Sequence, residues 1–270
     1  MRVRAEGTWR ETDALDLREG DRGREAVCEA VAGDAGWLEC PAPGPLWDHV
    51  APVAPGEPVP TRTALAAAAR SRGLTAPQDD ERRAVLTRRD GIEVESVETA
   101  PLRRRLAAAS ADTDRLRETV ARLQGRVQAT READRATDDE DELAGAVRRL
   151  SERETERAAA RQALDRARTR RRAARDAREE RRRLADRAAN LARAARRHLV
   201  ERVDDEFRAA VDAVPGGEAD PADPFESDPV TRALAIARVG EPRAPVVLDC
   251  DRFPSARAAA TWLSAPVVRL

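Results

Sequence analysis

Nine arginines stand close together in this chain: Arg168, Arg170, Arg171, Arg172, Arg175, Arg178, Arg181, Arg182 and Arg183. Guanidinium groups at this density suit bidentate contact with phosphate or carboxylate. The run therefore points to nucleic acid or to an acidic protein partner. No aromatic is interleaved for base stacking, and the arginines would point all round a helix. Two other readings stand beside the first. The stretch is a solvated face supported by pairs such as Glu118/Arg122 and Glu179/Arg183, or it crosses the acidic head and neutralises it.

Two further sets carry potential chemistry. Val246-Val247-Leu248-Asp249-Cys250-Asp251 is an apolar strand that ends in acids, as a Walker B segment does. No phosphate loop accompanies it, so it reads as a buried strand with Asp at its exit. Cys28, Cys40, His49 and Cys250 could supply four zinc ligands, but they are widely spaced and no C-x-x-C occurs. Buried thiols acting as small apolar side chains are the commoner outcome, and no metal is expected.

The remaining chemistry is narrowed by omission. All 49 basic residues are Arg, so Schiff bases, pyridoxal attachment and a phosphate-loop Lys are excluded. G-x-G-x-x-G, G-x-S-x-G and H-E-x-x-H are all missing. His49 and His198 are the only histidines, which leaves few acid/base options. Gly73-Leu74-Thr75-Ala76-Pro77 could be a helix-turn-helix corner, but it reads better as a plain turn between two helices. The expectation is a protein that is not an enzyme, with no catalytic, cofactor-binding or metal-ligating residues and no small molecule implied.

The elements that position these residues follow from composition. The chain has 270 residues and a net charge of −1; 37% are charged and 3% aromatic. That is too much charge and too little aromatic bulk for one compact globule, so much of it is expected to be solvated helix. Residues 99–214 hold one Pro (Pro101) and two Gly (Gly125, Gly145), against 16 Pro and 12 Gly elsewhere. The middle is helix without breakers; the ends are turn-rich. Leu102, Leu106, Ala109, Thr113, Leu116, Val120, Leu123, Val127 and Thr130 alternate steps of four and three, a sustained heptad seam. Thr137-Asp138-Asp139-Glu140 has the form of a capping box, which starts a second helix that Pro215-Gly216-Gly217 stops.

If the chain reverses near 137, Val127 meets Val147 and Leu123 meets Leu150 or Ser151. This favours an antiparallel coiled-coil hairpin of about 101–136 and 138–214. One continuous helix, about 170 Å long, is the alternative. Leu184, Ala188, Leu191, Ala195, Leu199, Val203, Phe207 and Val211 form a second stripe that drifts off the heptad, which suits packing onto a head. Segment charges are −6 for 1–98, 0 for 99–160, +10 for 161–197 and −5 for 198–270.

The fold expected is α+β: a mixed α/β head built from both chain ends, 1–98 and 230–270, with a long helical insertion. Strands are expected near 2–6, 13–18 and 36–40, with helices near 22–32, 61–73 and 79–89. Residues 41–60 read as a Pro-rich loop and 215–229 as an acidic Pro/Gly linker. Val246–Leu248, helix 255–263 and Pro266–Leu270 read as a compact β-α-β unit. There is no apolar leader and no apolar run of about 18 residues. A cytoplasmic protein without membrane contact is expected.

Two stretches, Ala64 to Glu81 and Asp186 to Gly216, resemble an uncharacterised family of haloarchaeal coiled-coil proteins. That family has no assigned activity, so the resemblance implies no functional residue. The scarcity of Lys, Tyr, Asn, Ile and Met, all with AT-rich codons, points to a GC-rich genome. The plan is also similar in shape to the SMC layout, without its ATP site or tip hook. The leading expectation is a scaffold or adaptor that binds a partner or itself through its coiled coil; a nucleic-acid-associated protein using helix 161–197 is the alternative.

Overall fold

The computed structural model describes residues 1–5, 8–20, 22–33, 35–132, 139–217 and 223–270. The chain is mixed α+β, with small sheets and long helices. Its strands are β1 (Arg2–Ala5), β2 (Thr8–Glu11), β3 (Ala14–Asp16), β4 (Leu38–Glu39), β5 (Val246–Leu248) and β6 (Val267–Arg269). Its helices are α1 (Arg24–Ala32), α2 (Trp47–Val50), α3 (Thr61–Ser71), α4 (Asp79–Asp90), α5 (Ala100–Glu132), α6 (Asp139–Asp212), α7 (Pro229–Val239) and α8 (Ala256–Leu263). They form two compact units: a head, Met1–Ala84 with Arg187–Leu270, and a helical unit, Val85–Asp186. These limits differ from the Pro/Gly punctuation at 99 and 214, because the last third of α6 buries its apolar stripe in the head core.

In the head, β1 pairs antiparallel with β2 and β4. β6 lies between β3 and β5, parallel to both, with Val267 opposite Ala14 and Val246. Residues from both ends of the chain thus share one sheet. Side chains alternate across a strand, and this sheet feeds two cores. Val246, Leu248 and Val267 join the larger one with Leu65, Leu199, Phe207, Leu234 and Ile236. Val247 and Val268 join the smaller one with Val27, Val31 and Leu38. Burial on both faces explains the continuous apolar run of β5 and the Val267-Val268 pair of β6. α8 links them, and the Ser255 hydroxyl caps it by accepting from the Ala258 amide at 3.1 Å.

Three elements differ from the sequence expectation. All four residues of β2 are exposed, so no buried alternation marked it. α2 is a single turn inside the Pro-rich loop. α7 begins at Pro229, where the Asp228 carboxylate accepts from the Thr231 amide. With a further helical turn at Pro224–Glu226, the expected linker 215–229 is largely structured over its described second half.

In the helical unit, Thr99 is buried just ahead of α5, and its carbonyl accepts from the Arg103 amide at 3.0 Å. Thr113, Val120, Leu123 and Val127 are buried, and Leu102, Leu106, Ala109 and Leu116 are half-buried. On α6, Ala146, Ala160, Leu164, Ala167 and Ala174 are buried. Val120, Leu123 and Ala146 form one apolar cluster, with Leu143 and Leu150 against it. Val147, expected opposite Val127, does not lie on the buried side of α6. Val147 is 46% exposed and its neighbour Ala146 is fully buried; one residue turns a helix face by about 100°. The Thr130 side chain and the box at Thr137 and Asp138 lie outside the described residues. Among those residues no helix is long and apolar enough to cross a membrane.

Candidate functional site

The arginine run lies on α6, and its residues are shared among different tasks. Ala160, Leu164, Ala167 and Ala174 make the buried row, and Arg171 and Arg178 fall on the same heptad row. Arg171 donates to the Thr99 hydroxyl at 3.5 Å and Arg178 to the Glu95 carbonyl at 3.3 Å. Arg170 reaches the Glu95 carboxylate at 3.2 Å. Arg168 pairs with Asp165 at 3.1 Å, and Arg182 and Arg183 share Glu179 at 3.2 and 3.5 Å. Arg172, Arg175 and Arg181 are exposed and have no acid partner among the described residues.

The three arginines left over do not make one track. Arg172 and Arg175 sit one turn apart, whereas Arg181 is nine residues from Arg172, about half a circle round the helix. What remains is a two-arginine patch and a separate cation. The residues that engage the run, Glu95, Thr99 and Asp165 among them, are unremarkable in sequence. Glu95 and Thr99 lie more than seventy residues from their partners, and no local spacing marked them.

The second candidate set gathers where the parallel strands end, the edge at which open α/β sheets bind ligands. Asp16 closes β3; Asp249 and Asp251 follow β5. Each carboxylate already meets a guanidinium. Arg18 grips Asp16 through Nε at 3.0 Å and Nη2 at 3.1 Å. That hydrogen bond holds the Asp16 carboxyl below the usual range. Arg24 donates to Asp249 through Nε at 2.9 Å and to Glu57 through Nη1 at 2.9 Å. Arg269, only 2% exposed, reaches Asp251 at 3.4 Å and stands 3.9 Å from Asp16. The acids at the exit of this buried strand are neutralised by arginines of the head itself.

The other candidates are dispersed. Cys28 and Cys40 pack against the smaller core and Cys250 against the larger. Burial pushes all three thiols up, and all three are free. Among the described residues no group of three or more His, Cys, Asp or Glu could hold a metal ion. The α3–α4 corner turns at Gly73, whose φ of 79° suits glycine. The first turn of α4, the part a recognition helix presents to bases, carries Asp79, Asp80 and Glu81.

No curated protein and no solved structure matches this chain. A family model described as a family of unknown function (DUF7856) matches residues 12–267, nearly the whole chain. Head and helical unit are therefore both parts of the matched region, and the chain belongs to that family of unknown function.

Proposed function

We propose that this chain is a non-enzymatic scaffold or adaptor. Its α+β head carries α5 and α6 as an antiparallel coiled-coil hairpin, and the outer surface of that hairpin engages a protein partner or a second copy. The observation that carries this reading is the order of ion pairs between the two helices. Arg117 pairs with Glu154 at 2.7 Å, Arg126 with Glu142 at 3.1 Å and Arg131 with Glu140 at 2.7 Å. Numbers rise along α5 as they fall along α6. The seam residues of α5 lie on its buried side, which leaves charge on the outside for recognition. The sheet-edge acids, occupied by arginines, fit a head that supports rather than catalyses. The setting proposed is the cytoplasm, in a haloarchaeal cell by the resemblance.

Spin labels at Arg104→Cys and Arg166→Cys, in a background freed of native cysteines, test the hairpin. They should lie within roughly 25 Å of each other, whereas one continuous helix would set them roughly 90 Å apart. Light scattering and in-cell crosslinking test the scaffold. A defined dimer or a constant crosslinked neighbour is expected, lost when the outer charges of the hairpin are reversed. A monomer without neighbours overturns the reading.

Nucleic acid is the second reading, favoured by Arg172 and Arg175 standing exposed one turn apart. Fluorescence anisotropy with duplex and single-stranded DNA from 0.1 to 3 M KCl decides it. Binding that survives molar salt and falls in an R172Q/R175Q/R181Q variant would favour nucleic acid. Binding only at low salt would favour the scaffold.

A further inference from the structure

The head contains a cleft of about 670 Å³ that none of the preceding chemistry uses. Its floor is small and apolar: Ala66 and Ala67 from α3, and Ala195 and Leu199 from α6. Alanines on two neighbouring helices leave a trough where larger side chains would have closed the surface. One wall is the Pro43–Trp47 segment, held in place by the Trp47 indole N–H donating to the Pro245 carbonyl at 2.8 Å. Glu241-Pro242-Arg243 forms a further stretch of wall beside it. It is tied to α3 through Ser71, whose hydroxyl accepts from the Glu241 amide at 3.0 Å and donates to the Ala68 carbonyl at 2.7 Å. Gly240 makes that wall possible: a Cβ there would collide with Leu46 Cδ2 and stand 3.2 Å from Ala68 Cα.

The rim is predominantly positive. Arg70, Arg82, Arg196 and Arg243 line it against a single acid, Glu241. Arg70 is fixed by both Asp79 oxygens, at 3.0 and 2.8 Å. Arg196 and Arg243 are exposed and have no carboxylate partner among the described residues. An apolar trough of this size, with a few convergent polar groups, is the usual form of a small-ligand site. Guanidinium forks at its edge select carboxylate or phosphate.

We propose that this cleft is a binding site for a small amphipathic anion, an apolar body ending in one carboxylate or phosphate. The apolar body lies along Ala67 and Ala192, above the buried Ala66, Ala195 and Leu199, and the anionic end is taken by Arg196 and Arg243. The site is independent of the hairpin reading and would stand if that reading failed.

Calorimetric titration of the full chain with decanoate, decyl phosphate and decyltrimethylammonium tests it. The three probes share one tail and differ in the head. At least one anion should bind with one-to-one stoichiometry, roughly 10-fold or more tighter than the cation. Whichever anion binds tighter identifies the head group. Ala67→Trp, which fills the trough, should abolish binding. The R196Q/R243Q variant changes only exposed side chains and should weaken the anion roughly 10-fold while leaving the cation unchanged; it carries the test if Ala67→Trp does not fold. Equal binding of anion and cation, or anion binding unaltered in R196Q/R243Q, overturns the proposal.

Discussion

The head and the helical unit bury different materials. The fully buried side chains of the head include Phe207, Leu65, Leu199, Leu234, Ile236, Leu248 and Leu263. The helical unit buries Leu123 and Leu164, but beside them lie Ala146, Ala160, Ala167, Ala174 and the hydroxyl of Thr113. Each buried methylene contributes about 0.8 kcal/mol, so a row of alanines holds much less than a row of leucines. The Thr113 hydroxyl spends its hydrogen bond on its own helix, to the Ala109 carbonyl at 2.7 Å. The helical unit supplements this thin seam with ion pairs across half-exposed surfaces. One region is held by apolar volume, the other by small contacts and many charges, and the two should respond differently to mutation, pH and salt.

The chain offers a direct way to separate them. Trp9, Trp37, Trp47 and Trp262 all lie in the head, so tryptophan fluorescence reports that unit alone, while amide exchange reports the helices. The largest effect is expected from Phe207→Ala. Phe207 is fully buried and meets Phe225 in a tilted pair with ring centroids 5.3 Å apart. Its loss should cost about 3–5 kcal/mol, read as an earlier denaturant midpoint by fluorescence. An unmoved midpoint would break the contrast at its strongest point.

Leu123→Ala comes next, at about 2 kcal/mol, the low end for such a truncation. Faster amide exchange across residues 113–127 should register it, with head fluorescence unaltered. A shift of both signals together would mean that the units do not open separately.

Asp79→Asn probes charge within the head. The hydrogen bond from Arg70 holds the Asp79 carboxyl below its usual range. A lowered native pKa stabilises the fold above the unfolded value of about 3.9 and loses that contribution as pH falls through the native pKa. The variant should therefore be less stable by about 1 kcal/mol at pH 7, and should match the parent once both forms are protonated. A constant difference at every pH would show that the carboxylate charge is not what Arg70 uses.

The smallest effect belongs to Arg117→Gln. Arg117 and Glu154 are each about half exposed, and such pairs contribute about 0.2–1 kcal/mol. The loss should shrink in 1 M KCl, where the Debye length is about 3 Å. A salt-independent loss would mean that the arginine stem, not its charge, supports the seam.

What was readable in the sequence follows the same division. The heptad positions from Leu102 to Val127 are the less exposed side of α5, because a repeated step of four and three leaves no other side to bury. Partner identity was not readable: Ala146, not Val147, turns inward, and two adjacent small residues offer little to choose between. β2 was hidden because none of its residues is buried. α7 was hidden for the opposite reason. It is buried on nearly every side, so it lacks the polar face that marks a surface helix. The arginine run was plain as charge, but Glu95 and Thr99, which bind it, are too distant in sequence for spacing to reveal. The cleft could not be foreseen at all, since its floor is made of alanines from α3 and α6, more than a hundred residues apart.

The placement of β6 between β3 and β5 has a consequence for how the protein is made. β3 leaves the ribosome early and has no partner strand until residues 246–269 follow. At about 5–20 residues per second, that is a delay of roughly 10–50 s. During this interval the helices from α3 to α6 are made. Nascent β3 must wait unpaired, so its sheet cannot close before β6 is made. A chaperone that acts on the nascent chain would find its substrate in the unfinished head.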